Sequence, residues 1–172
     1  IGLDKIDLEA AKSYNIKVAN CKNVNQIAVA EHVIGLLICY MKNIHLSYNI
    51  TTKGEWKRPL GNEIYGKKIG ILGLGSIGKE LAKRTPLLGL KTYAYDIEID
   101  YNFIKNYNIN VVDEIGDLFS ICDIISVHIP LLKSTRGIIS KDILFNKTKD
   151  GLILINTSRG PIVNEDDIIT AL

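Results

Sequence analysis

Between Lys68 and Asp96 the chain runs apolar segment, glycine turn, helix-periodic stretch, apolar segment, acid. Lys68-Ile-Gly-Ile-Leu72 reads as a strand, Gly73-Leu-Gly-Ser-Ile-Gly78 as a turn, the following residues as an amphipathic helix, and Lys91-Thr-Tyr-Ala-Tyr95 as a second strand closed by Asp96. Glycine-rich turns recur for ordinary backbone reasons, so Gly-x-Gly-x-x-Gly alone says little. Its context is specific: a strand feeds the turn, a helix leaves it, and Asp96 stands 18 residues beyond Gly78.

Each position has a physical task. Gly73 permits the tight exit from the strand, Gly75 lets backbone approach a pyrophosphate without an intervening Cβ, and Gly78 allows helix and strand to pack closely. The N–H groups of Ser76 and Ile77 then face outward at a helix N-terminus, where unpaired amides and the macrodipole favour an anion. Asp96 is placed to accept from both ribose hydroxyls of an adenosine, and its charge opposes a 2′-phosphate. No Lys or Arg occurs from 97 to 101, so the expected cofactor is NAD rather than NADP.

A length of 172 residues suits one domain of ordinary size, and 47% hydrophobic with 23% charged residues matches a globular protein. A net charge of +2, without a basic run interleaved with aromatics, gives no reason to expect a nucleic-acid partner. Cys21, Cys39 and Cys122 form no Cys-x-x-Cys or Cys/His ligand spacing; they read as buried thiols of a reducing, cytoplasmic compartment, and no metal site is expected. The apolar stretch from Val33 to Met41 is about half a bilayer span and reads as a buried helix, so no membrane partner is expected either. No signal or transit peptide opens the sequence. The first residue is Ile1 and the only methionine is Met41, so the expectation is an excerpt of a longer protein.

Around the fingerprint, Asp7 is set to cap a short helix through Leu8, Ala11 and Lys12 with Asn15 as its left-handed stop. Ile16 to Ala19 then reads as a strand. Asn25 caps a long helix through Val29, Val33, Leu36, Leu37 and Tyr40 that is apolar around most of its circumference, which predicts burial on several sides. Ser47 to Lys67 loses its period and reads as a surface connection punctuated by Gly54, Pro59, Gly61 and Gly66. Pro86 is expected to shorten the helix after the glycine turn. Beyond Asp96 come a weak strand at Asn110 to Val112, helices near Ile115 to Ile121 and Lys141 to Phe145, and strands at Asp123 to His128 and Leu152 to Ile155. Alternation of this kind predicts an α/β fold with a doubly wound parallel sheet, whose ligands bind beyond the carboxyl ends of the strands. The residues at those ends are Gly73 to Gly78, Asp96, His128 to Pro130 and Asn156 to Arg159.

These segments, taken in order, resemble the D-isomer-specific 2-hydroxyacid dehydrogenase family. The resemblance rests on Gly2-Leu-Asp-Lys-Ile-Asp7, Ala28-Val-Ala-Glu-His32, Glu63-Ile-Tyr-Gly-Lys67 ahead of the glycine turn, His128-Ile-Pro-Leu131 with Thr135, and Asn156-Thr-Ser-Arg-Gly160 with Val163 and Glu165. Leu132, where the family commonly has Thr, and Lys22, where it commonly has Pro, depart from it. The resemblance implies a Rossmann-like NAD-binding domain over 25–172, truncated at its C-terminal end, preceded in 1–24 by a remnant of the substrate domain. It implies that Arg159 pairs with the substrate carboxylate and carbonyl oxygen, a task suited to a planar guanidinium charged at every working pH. His128 and Pro130 are implied to line the adenine and ribose region, so His128 is not read as the proton carrier. Thr135, Asn156, Thr157 and Ser158 complete the implied cofactor contacts.

The catalytic histidine and its glutamate partner lie downstream in the family. The 172 residues are therefore expected not to turn over alone, while the parent enzyme exchanges a hydride between nicotinamide and a small 2-hydroxy or 2-keto acid. Within the family the opening and long-helix segments resemble the 3-phosphoglycerate dehydrogenases of serine synthesis most, the glyoxylate/hydroxypyruvate reductases next. Corepressor relatives that use the NAD domain as a dimerisation module supply a non-catalytic alternative. Homodimerisation through the long helix is implied for all of them.

Overall fold

A computed structural model describes residues 2–172. Five parallel strands, β1 (Lys68–Leu72), β2 (Lys91–Tyr95), β3 (Asn110–Val111), β4 (Ile124–Val127) and β5 (Ile153–Asn156), lie in the order β3-β2-β1-β4-β5. The chain runs outward from β1 to β2 and β3, then returns to place β4 on the other side of β1. Leu72 is therefore in register with Tyr95 on one flank and Val127 on the other, and the switch point of the sheet falls where β1 gives way to the glycine turn.

The period-2 alternation of the strands builds two cores. Ile69, Ile71, Ile124 and Ile155 pack beneath α2 (Gln26–Met41) and α4 (Ser76–Arg84), while Leu72, Ile125 and Val127 pack with Leu118, Phe119 and Cys122 of and after α6 (Ile115–Ile121). Gly70 is what lets α6 sit so near β1, since a Cβ there would fall 2.6 Å from Ile125 Cδ1 and 2.8 Å from Leu118 Cγ. Asp7 caps α1 (Leu8–Ser13) by accepting from Ala10 N at 2.9 Å, and Asn15 is left-handed at φ 55°, as expected. α4 ends at Arg84 and Pro86 opens a separate 3₁₀ turn. In α7 (Glu165–Ala171) the acids occupy the first turn and Asn164 caps it.

Several expectations need correction. Ile16 to Ala19 is not a strand, because a strand needs a partner and none pairs with it among the described residues. α2 buries one face only: Ala30, Val33, Leu37 and Met41 are inside, whereas Ile27, Leu36 and Tyr40 are exposed. The stretch from Ser47 is not all connection, because α3 (Ile44–Thr52) occupies its start after a left-handed break at Asn43 (φ 52°). The Thr51 and Thr52 hydroxyls donate back to Ser47 O and Tyr48 O within that helix. A further helix, α5 (Tyr101–Tyr107), follows Asp96; Asp100 caps it and Phe103 stacks on Tyr107 one turn on. Residues Asp142–Lys147 form a π-type turn, not an α-helix. Of the three thiols only Cys122 is buried; Cys39 is half-buried and Cys21 exposed, and no disulfide joins them among the described residues. No single helix among the described residues is long and apolar enough to cross a membrane.

Candidate functional site

The glycine turn is over-determined by its surroundings. Gly73 holds φ +102° and donates its N–H to Tyr95 O at 2.8 Å, and a Cβ there would lie 2.9 Å from Ile129 Cγ2. A Cβ on Gly78 would fall 2.0 Å from Gly73 O, so helix and strand close on each other only with hydrogen at that position. Around Gly75, by contrast, a Cβ would meet nothing within 4 Å. Gly75 is also the N-cap of α4 and has no side chain to accept from the first-turn amides, which leaves the N–H groups of Ser76 and Ile77 for an external acceptor.

Asp96 sits one residue past β2 with its carboxylate turned to this turn. Oδ2 accepts from Leu74 N at 2.5 Å and Oδ1 from Glu98 N at 3.1 Å. Nearby, Lys79 pairs with Asp100 at 2.7 Å, which holds the Asp100 carboxyl below its ordinary value, so the one lysine next to the turn is already neutralised locally.

Beyond β4, His128 is half-buried and its Nε2 lies 2.8 Å from Ser126 Oγ. Burial pushes its pKa down to about 4, so the ring is neutral at physiological pH and a polarity-setting wall of the site. Thr135 is spent on local structure: its hydroxyl donates to Pro130 O at 2.6 Å and accepts from Leu132 N at 2.8 Å, closing the 130–135 loop around the departure at Leu132.

Asn156, the last residue of β5, is likewise an organiser. Its Nδ2 donates to Arg159 O at 2.9 Å, and its Oδ1 accepts from Ser158 N at 3.1 Å and Ser158 Oγ at 2.8 Å, which fixes the turn over 156–159. That turn throws out Arg159, whose guanidinium meets the Asp4 carboxylate at 2.8 Å. The guanidinium holds the Asp4 carboxyl below its ordinary value, and the carboxylate raises Arg159 in turn.

A cleft of about 870 Å³ joins these parts. Ser76, Ile77, His128, Pro130, Thr157, Ser158 and Arg159 line it; Gly73, Gly75, Gly78, Asp96, Thr135 and Asn156 are not among its lining residues. Sequence reasoning had missed Asp4 and its N-terminal neighbours in the lining, among them Gly2, Leu3 and Glu9. Gly2-Leu-Asp-Lys-Ile-Asp7 carried part of the family resemblance, without a residue to pair Asp4 with. Thr157 Oγ1 is buried with no hydrogen-bond partner among the described residues, an unmatched polar atom on the cleft wall. An orphaned hydroxyl, outward amides at an uncapped helix start and a carboxylate with spare acceptor capacity together fit a dinucleotide laid across the strand ends.

A parallel sheet that switches direction at β1 and β4, with a glycine turn and a strand-end acid at the switch, defines a Rossmann-like dinucleotide-binding domain. Residues 34–172 match the D-isomer specific 2-hydroxyacid dehydrogenase family, NAD binding domain, and the chain belongs to that family. D-3-phosphoglycerate dehydrogenase of Rattus norvegicus is 37% identical over 173 residues, 99% of this chain and 32% of that protein. The protein of that name from Bacillus subtilis is 37% identical over 175 residues, 100% of this chain and 33% of that protein. The chain thus spans about a third of the length of these curated relatives. Among solved structures, apo D-lactate dehydrogenase from Escherichia coli superposes with TM-score 0.91 at 30% identity, over 99% of this chain and 54% of that one. NAD-dependent formate dehydrogenase from Staphylococcus aureus in complex with NAD does so with TM-score 0.85 at 32% identity, over 100% and 52%. NAD is the cofactor of the family domain found here.

Proposed function

We propose that the protein carrying this domain interconverts a D-2-hydroxy acid and its 2-keto acid with NAD, and that its substrate pair is 3-phosphoglycerate and 3-phosphohydroxypyruvate. The observation that carries the reading is that Arg159 opens onto the same cleft as the amides of Ser76 and Ile77. The relatives named for 3-phosphoglycerate support the choice of acid.

In this reading Gly73, Gly75 and Gly78 seat the pyrophosphate on the α4 amides of Ser76 and Ile77, and Asp96 takes the adenosine ribose hydroxyls. His128, Pro130 and Thr157 wall the nucleotide, while Asn156, Ser158 and Thr135 hold the loops that do so. NADH, when bound, supplies the hydride that reduces the carbonyl carbon. Arg159 binds the keto acid's carboxylate, orients its carbonyl, and stabilises negative charge growing on the carbonyl oxygen. His128, neutral and half-buried against Ser126, excludes water and carries no proton in the reaction. Residues 1–24 belong to the substrate domain and 25–172 to the NAD domain, and the exposed Ile27, Leu36 and Tyr40 of α2 form a homodimer contact.

The test is NADH oxidation by the full-length polypeptide with 3-phosphohydroxypyruvate, hydroxypyruvate, glyoxylate and pyruvate, alongside NADH and NADPH titrations. The expected outcome is turnover with the phosphorylated acid at the highest kcat/KM and preference for NADH. Higher kcat/KM with glyoxylate or hydroxypyruvate replaces the substrate assignment. NADH binding without turnover of any 2-keto acid replaces the enzyme with a nucleotide-sensing module.

A further inference from the structure

We infer that Asp4 is a positioning residue for Arg159, its carboxylate gripping the side-on edge of the guanidinium so that the end-on edge is presented to the acid group of the substrate. The inference deepens the proposed function and rests on it.

Asp4 Oδ2 and Oδ1 accept from Arg159 Nε at 3.0 and 3.1 Å, and Oδ1 accepts from Nη2 at 2.8 Å. Ser158 O accepts from Nη1 at 2.8 Å. A guanidinium carries five N–H donors in one plane. These contacts use Nε–H, one donor of Nη2 and one of Nη1, leaving one on each terminal nitrogen. Asp4 covers the Nε–Nη2 edge of the group. One donor remains on each terminal nitrogen, and a pair of donors so placed is what takes a carboxylate bidentately.

A second observation shows that the pair is built in. A Cβ on Gly2 would fall 2.5 Å from Asp4 Oδ1 and 2.6 Å from Arg159 Nη2, so the ion pair rests against bare backbone. Asp4 and Arg159 are 155 residues apart and both line one cleft. A carboxylate beside an anion site weakens attraction for an anionic substrate, so charge alone gives Asp4 no use there. Fixing a flexible arginine in one orientation does.

This separates the kinetic constants. Removing Asp4 takes away orientation but leaves the site more positive, so kcat falls while KM for the keto acid does not rise. Loss of the local fold would instead raise KM and weaken NADH together. The experiment uses the full-length polypeptide with NADH and, as probes, 3-phosphohydroxypyruvate and hydroxypyruvate. Asp4→Ala is expected to lower kcat about 10- to 100-fold, with KM within about twofold and NADH affinity unchanged; Asp4→Glu recovers part of kcat. Gly2→Ala, which keeps both charges but displaces them, lowers kcat in the same manner. In an Arg159→Ala background, Asp4→Ala has no further effect. Normal kcat in Asp4→Ala, a parallel loss of NADH affinity, or an equal further loss without Arg159 overturns the inference while the proposed function stands. A wild-type protein that reduces neither probe removes both.

Discussion

The Leu74 N–H donates to Asp96 Oδ2 at 2.5 Å, so the acid that ends β2 is fastened to the turn that leaves β1. Its other oxygen takes Glu98 N at 3.1 Å. An ionised carboxylate has about four acceptor sites, and these bonds use two. Asp96 thus braces the glycine turn and still has acceptors for a pair of vicinal hydroxyls. A residue type chosen only to hold the turn would not need to be charged.

Replacing Asp96 by Asn therefore tests the ligand role against the bracing role. Loss of charge-assisted bonds to the ribose is expected to weaken NADH by about 10- to 100-fold, and to narrow the preference over NADPH because repulsion of a 2′-phosphate disappears. Fluorescence titration of both nucleotides reads it. An unchanged NADH affinity with a lowered Tm assigns Asp96 to bracing alone.

The glycines at 75 and 78 predict opposite outcomes for the same added methyl. At Gly78 a Cβ would sit 2.0 Å from Gly73 O, backbone that cannot swing away, so Gly78→Ala is expected to cost about 1–3 kcal/mol and to lower Tm. At Gly75 the methyl meets nothing, so Gly75→Ala keeps its Tm and loses nucleotide affinity, because the methyl stands where the pyrophosphate approaches. Denaturation and NADH titration of both variants check the contrast; equal effects on stability contradict it.

What could be read from the sequence follows a physical boundary. The turn at 73–78, Asp96 and the helix capped by Asp7 were legible because each residue answers a local need of the backbone. α5 was not, since seven residues are two turns, too short for Phe103, Ile104 and Tyr107 to show a sustained period. Ile16 to Ala19 has strand composition, but pairing is decided by what lies alongside. Gly70 reads as a weak strand residue until α6 is seen against it. The pairing of Asp4 with Arg159 joins residues 155 apart that no shared element relates, so neither residue predicts the other.

Cys122 should behave as an inert thiol in the native protein. Burial pushes it up to about 12, far from the range in which a thiolate forms. Alkylation at pH 8 followed by mass spectrometry should modify Cys122 only in denaturant, whereas exposed Cys21 reacts without it. Native labelling of Cys122 at the rate of Cys21 would show that the α6 core opens.

His128 gives the protein a stability loss in mild acid. The ordinary histidine value of 6.5 applies to the unfolded chain, and burial takes the folded value to about 4. Between these values the unfolded state binds a proton that the native state refuses, so unfolding is favoured as pH falls. The contribution is fully present above pH 6.5 and declines through the window, the loss reaching about 3 kcal/mol by pH 4. Asp4, Glu80, Asp100 and Asp123, all held below their ordinary values of 3.8 to 4.5, lose their contributions only at and below that lower range. The interval from 6.5 to 5 therefore isolates His128. Urea denaturation across it should show falling stability in the wild type and a flatter profile in His128→Gln, which keeps a polar group toward Ser126 Oγ but does not titrate. A wild-type profile that is flat between pH 6.5 and 5 would mean that His128 takes up its proton without leaving the folded state.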